Sequence, residues 1–187
     1  MHVEARIAAE AMVEERRYWI GVVARDHVEA AVANGFVQLN YGKAGPLERM
    51  QPGDGVAFYS PRVASPDGAP LQAFTAIGRV GAGPIFIAET SVGNGRPDRM
   101  TSPPGDSERS ERGGRFIPTD ATPTFRRSAA WLEADAVPIK PLLDRLSFVR
   151  NKQHWGAAFR FGVLRVPRED FAAIAAAMGR DPDVDFA

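Results

Sequence analysis

The sequence predicts an α+β domain in which a small, bent β-barrel is flanked by helices, and three observations carry that expectation. The turn Pro52-Gly-Asp-Gly leads into a run, Val56 to Pro61, that alternates between two chemically different faces. The stretch Leu71–Val80 is a strand long enough to bend around a barrel. Pro167–Met178 opens on proline and acids and is followed by Gly179, a full set of helix start and stop signals.

Taken in order, Ala5–Arg17 has helical composition but only Ile7, Met12 and Val13 to bury, so residues 1–17 read as a helical N-terminal extension. A single domain is expected over 18–179. Tyr18–Ala24 is a strand rich in aromatic and β-branched residues. Asp26 is expected to cap a helix over His27–Asn34, with Gly35 as its left-handed stop, and Phe36–Asn40 to form a second strand. Tyr41–Gly45 is a glycine-opened loop, and Pro46–Met50 one short helical turn.

In the next strand Val56, Phe58 and Ser60 point one way and Ala57, Tyr59 and Pro61 the other. Pro61 should end it at a rim, leaving Ser60 and Arg62 beside open space. Leu71–Val80 and Pro84–Glu89 read as a hairpin around Gly81-Ala-Gly. From about 93 to 124 the composition turns to Gly, Pro, Ser, Arg and Asp, as in a flexible insertion. A strand over Ala129–Ala134, a short helix over Pro138–Leu146 and a last strand over Phe159–Val166 follow. The acidic residues 180–187 read as a frayed tail.

Composition narrows the function. The 187 residues carry 23 basic and 23 acidic side chains, so nucleic-acid binding would need a local patch and not a global field. Cysteine is absent, which removes disulfides and thiolate chemistry. No apolar run approaches the roughly 20 residues that span a bilayer, so no membrane role and a cytoplasmic location are expected. The three histidines, His2, His27 and His154, make a histidine-rich metal centre unattractive, and no cofactor is expected. Gly93-Asn-Gly lies in the insertion and not between a strand and a helix, and a Ser60, His154, Asp144 triad has no supporting local motif.

A mixture of aromatic and basic residues at strand ends and in loops is the better constellation. Trp19, Tyr41, Tyr59, Trp155 and Phe159 lie near Arg25, Lys43, Arg62, Arg126, Arg127, Arg150, Lys152 and Arg160 in the chain. Bases stack on aromatic faces while cations neutralise phosphates. Against this, Trp19, Phe58, Phe148 and Phe161 are assigned to the core, and Arg79, Arg165 and Arg168 to solvent. His27, in the first turn of its helix, is biased toward neutrality by the helix dipole, and is as well read as a residue serving the helix end.

With these residues in view, the chain resembles the EVE domain family of the PUA-like superfamily, and in particular the stand-alone bacterial EVE domain proteins. The likeness is carried by Tyr18–His27, Gly35–Met50, Pro52–Arg62, Leu71–Gly78, Phe125–Arg127, Pro138–Val149 and Trp155–Gly162. It implies a bent, mixed PUA-like barrel of about six strands. It also implies a non-catalytic reader that takes a modified nucleobase of DNA or RNA into a pocket. Carried over by position, that pocket is formed by Val23, Ala24, Arg25, His27, Gln38, Asn40, Tyr41, Lys43, Tyr59, Ser60, Pro61 and Trp155. Ala24 stands where a serine is common in the family and Tyr41 where a histidine is common.

The base is expected to enter between Trp155 and Tyr59, with Arg62, Arg126, Arg127, Lys152 and Arg160 on flanking phosphates. The competing reading is an enzyme acting on a small molecule or nucleotide through Asp26, His27 and Lys43. A third is an interaction module that engages a protein partner through the insertion.

Overall fold

The computed structural model describes residues 16–88 and 123–186. The helix expected over Ala5–Arg17 lies outside them except for its last two residues. So does the expected insertion, up to its final residues, where Thr124 already opens a strand.

The main sheet begins with β1 (Tyr18–Val22), which is buried at four of its five positions. It pairs in parallel with β3 (Gly55–Arg62) and antiparallel with β8 (Val163–Val166). β3 continues antiparallel to β4 (Pro70–Val80), β4 to β6 (Thr124–Leu132), and β6 to the short β2 (Phe36–Val37). The path β2-β6-β4-β3-β1-β8 is thus a mixed, six-stranded sheet, with β5 (Phe86–Ala88) added on β6 and β7 (Val137–Pro138) on β4. Its helices are α1 (Arg25–Ala33), α2 (Ala44–Glu48), α3 (Arg168–Ala177) and α4 (Pro182–Asp185). The α+β class with a bent mixed sheet is therefore the observed architecture.

β3 is central because both of its faces are covered. Ala57 and Tyr59 face a cluster with Phe74, Ile139, Phe171 and Ile174, while Val56 and Phe58 face one with Trp19, Val28, Leu39 and Met50. The first cluster is closed by α3 and the second by α1 and α2. Register shifts between Phe58 and Tyr59 and between Ser60 and Arg62 bend the strand, as β-bulges do. Pro61 does not end β3. It sits in the second irregularity, where its missing N–H costs no ladder bond, and the strand runs on to Arg62.

The Pro-Gly-Asp-Gly turn is held from inside. Asp54, 2% exposed, accepts from Trp19 Nε1 at 2.7 Å and from the backbone N–H groups of Gln51 and Arg17 at 2.9 and 3.1 Å. A buried carboxylate is stable only when so satisfied, and here it ties the turn to β1.

Several sequence expectations give way to non-local packing. Phe86–Ala88 pairs with Arg126 to Thr124 on β6 and forms no hairpin with β4. Phe159 lies in a 3₁₀ turn, Trp155–Phe159, before β8, and the helix expected over Pro138–Leu146 is a 3₁₀ segment, Lys140–Arg145. The cap of α1 is Ala24, and Asp26 lies inside the first turn.

The C-terminal tail is docked. Asp181 caps α4 by accepting from Asp183 and Val184, and Arg180 pairs with Asp185 at 2.8 Å. Phe186, 2% exposed, meets Phe171 edge-on at 5.0 Å, with the Arg79 guanidinium 5.7 Å from its ring centroid. Arg79 therefore serves the tail and is not simply solvated.

Candidate nucleic-acid interface

The parallel pairing of β1 and β3 brings their carboxyl ends to one place, and a cleft opens there. Its volume is about 660 Å³, within the roughly 300–1,000 Å³ typical of ligand sites. Four chain segments meet at it. The end of β1 runs through Val22, Val23 and Ala24 into Asp26 and His27 of α1. The loop after β2 supplies Gln38 to Tyr41 and Lys43. The segment before β8 supplies Phe159 to Gly162, and the end of β3 adds Pro61 and Arg62, followed by Ala64 and Ser65.

Backbone bonds fix these parts. Val22 N–H donates to Gly162 O at 2.8 Å, Val23 N–H to Tyr59 O at 3.0 Å and Asp26 N–H to Val63 O at 3.0 Å. Gly162, at φ 74°, packs against Asn40: a Cβ at Gly162 would lie 2.0 Å from Asn40 Oδ1. The loop after β2 and the segment before β8 are therefore in direct contact. In that loop Asn40 and Tyr41 both hold left-handed backbone, φ 47° and 58°. Such a conformation costs a non-glycine residue roughly 1–3 kcal/mol. Tyr41 gains nothing by burial in return, since it is 97% exposed. Gly42, at φ 79°, continues the turn against β6, where an added Cβ would sit 2.6 Å from Thr124 Cγ2.

The residues lining the cleft differ in chemistry and in exposure. Val22, Leu39 and Phe159 give it apolar walls, Gln38 and Asn40 give it amide groups, and Lys43, Arg62 and Arg160 are exposed cations against one lining carboxylate, Asp26. Burial first, then the nearby Arg126 charge, lower the His27 pKa from its ordinary value and favour the neutral imidazole, against the opposing pull of Asp26. Its Nε2 is buried with no hydrogen-bond partner among the described residues. Asp26 Oδ1 accepts from the backbone N–H of His27 at 2.8 Å.

Of the residues expected from sequence, Val23, Ala24, His27, Gln38, Asn40, Tyr41, Lys43, Pro61, Arg62 and Arg160 line this cleft. The others do not. Tyr59 is 2% exposed and stacks on Phe159, with ring centroids 4.1 Å apart and planes at 22°. Burial pushes its phenol up to about 12. Trp155 meets Tyr59 edge-on at 6.3 Å and 88°. No base slot exists between Trp155 and Tyr59, because the chain's own Phe159 occupies the stacking face. Ser60 is fully buried, 2.7 Å from Thr75 Oγ1. Arg25 pairs with Glu29 at 3.0 Å.

Four of the expected phosphate contacts already donate within the protein, Arg62 among them from Nη1 to Gly68 O at 3.1 Å, although its side chain stays exposed at the cleft. Arg126 lies 3.9 Å over the Phe36 ring and donates to Gln38 Oε1 at 2.8 Å. Arg127 donates to the carbonyls of Met50 and Leu47 at the end of α2. Lys152 donates to Leu143 O and, at 2.8 Å, to Leu146 O. Missed were the lining residues Val22, Leu39, Ala64, Ser65 and Gly162, and above all Phe161, assigned to the core but 82% exposed at the cleft. Its position between Arg160 and Gly162, outside the apolar run of β8, was the available signal.

Residues 17–177 match the EVE domain family over nearly all of this architecture. The chain belongs to the EVE domain family. A Mesorhizobium japonicum relative, UPF0310 protein msl3206, is 42% identical over 87% of this chain and 91% of its own. UPF0310 proteins from Mycobacterium avium and Bacillus subtilis, the latter YdcG, are 40% and 36% identical, over 86% and 87% of this chain and 96% and 92% of theirs. The crystal structure of protein Atu2648 from Agrobacterium tumefaciens shares 15% identity at a TM-score of 0.46, over 88% of this chain and 94% of that one. The cleft of this EVE domain is built wholly from residues inside the matched span. Among the described residues, no helix is long and apolar enough to cross a membrane.

Proposed function

We propose that this EVE domain is a non-catalytic reader that binds a modified nucleobase of DNA or RNA in the cleft between α1, the Gln38–Lys43 loop and the Phe159–Gly162 segment. The observation that carries this reading is the cleft's lining: buried or partly buried apolar and amide residues beside the exposed cations Lys43, Arg62 and Arg160. A planar base with little charge suits the interior, and its phosphates suit the mouth.

The modification is read as added apolar surface. A methyl group against Val22, Leu39 or Phe159 contributes roughly 0.8 kcal/mol per carbon buried, so discrimination from fit alone is several-fold. Gln38, held by Arg126, and Asn40 supply amide groups for the base edge. The neutral His27 adds no charge to the interior.

The enzymatic alternative would act through Asp26, His27 and Lys43; of these, Asp26 Oδ1 is taken by the backbone N–H of His27, and His27 Nε2 has no hydrogen-bond partner among the described residues. The test is titration with methylated, hydroxymethylated and plain oligonucleotides at low salt. Binding that strengthens with modification supports the reading, and absence of binding to every strand removes it. Turnover of a nucleotide that is abolished in His27→Ala would replace it with the enzymatic one.

A further inference from the structure

We infer that the cleft's mouth is a stacking platform for single-stranded nucleic acid, on which bases next to the inserted one lie against Tyr41 and Phe161. This rests on the reading of the cleft as a base pocket and adds the form of strand it takes. Tyr41 is 97% and Phe161 82% exposed, and both line the cleft. Phenylalanine is ordinarily among the buried residues, and here the chain presents one to water one position before a left-handed glycine.

The two rings are carried by segments that touch, through Asn40 and Gly162, their immediate neighbours in sequence. Tyr41 is held out by a left-handed backbone that an aromatic residue rarely adopts. Lys43, Arg62 and Arg160 stand around the same opening. Aromatic faces beside cations are the combination that holds a flexible strand irrespective of sequence. In a duplex the neighbouring bases remain stacked on each other, and Tyr41 and Phe161 have nothing to receive. The platform therefore favours a single strand over the same sequence paired.

The experiment compares the full-length protein with Tyr41→Ala, Phe161→Ala and the double variant. The probes are an end-labelled oligonucleotide with a central 5-methylcytosine, its duplex, and the same strand carrying 2-aminopurine beside the central base. The wild type should bind the single strand more tightly and quench 2-aminopurine. Each single change should weaken single-strand binding roughly 5- to 100-fold, and the double variant should lose the quenching. If the wild type binds and the double variant binds equally well, the platform is overturned while the base pocket stands. Preference for the duplex overturns it in the same way. If the wild type binds no nucleic acid at all, the pocket reading falls and takes the platform with it. Self-association of the wild type that the double variant abolishes would assign the two rings to a second copy of the chain and overturn the inference.

Discussion

Phe159 lies stacked on Tyr59, ring centroids 4.1 Å apart and planes at 22°, so the aromatic slot of this barrel end is filled by the protein itself. The stack separates the core from the cleft, because Phe159 also lines the cleft that Tyr59 does not reach. Phe159→Ala should cost about 3–5 kcal/mol in urea unfolding and also damage binding. Trp155→Ala loses edge-on contacts worth roughly 1 kcal/mol and should leave binding within about twofold of wild type. A large loss of affinity in Trp155→Ala at unchanged stability would return that residue to the site.

Asp54 is a structural carboxylate. Asp54→Ala leaves Trp19 Nε1 and the N–H groups of Arg17 and Gln51 without this acceptor. Three lost hydrogen bonds to a charged group, one of them from the buried Trp19 Nε1, set the expected loss at about 2–4 kcal/mol, read from the urea midpoint. A loss under about 1 kcal/mol would show that the turn is held by other contacts.

The docked tail makes a third measurable claim. Phe186→Ala should destabilise the domain by about 3 kcal/mol, since the ring packs on Phe171 and beneath Arg79. An unchanged unfolding midpoint would restore the frayed tail that the acidic sequence suggests.

His27 gives a pH dependence with a definite sign. Its pKa is lowered in the folded protein by burial and by Arg126, so below about pH 6.5 the unfolded chain binds more protons than the folded one. Stability from the neutral imidazole is complete above that pH and is lost as pH falls toward the folded pKa. His27→Gln should therefore flatten the stability profile between about pH 7 and pH 5, measured as urea midpoints. Parallel profiles for the two proteins would contradict the buried, neutral imidazole.

What the sequence made legible was local. Strand runs such as Tyr18–Val22 and Leu71–Val80, and the proline and acids that open α3, carry their signals within a few residues. The partner of Phe86–Ala88 is decided by distant β6, and burial of Phe186 by distant Phe171, so neither left a local trace. The cleft follows the same division. Ala24, His27, Gln38, Asn40, Tyr41 and Lys43 were placed by family likeness, and the structure brings them together. Tyr59 and Trp155 were misplaced because alternation along a strand says which way a ring points and not what already covers it. Phe161 was missed because burial is the ordinary fate of its side chain.

The central claim is that a base enters the cleft, and blocking the cleft tests it most directly. Ala64 lines it from a partly exposed position outside the regular strands, so a bulky side chain there tests directly whether the opening is used. The measurement is equilibrium binding of a modified single-stranded oligonucleotide to wild type and to Ala64→Trp, with unfolding midpoints in parallel. The account predicts at least about a tenfold loss of affinity with stability preserved, the scale of contacts worth roughly 1.4 kcal/mol or more. Equal affinity for the two proteins would contradict it.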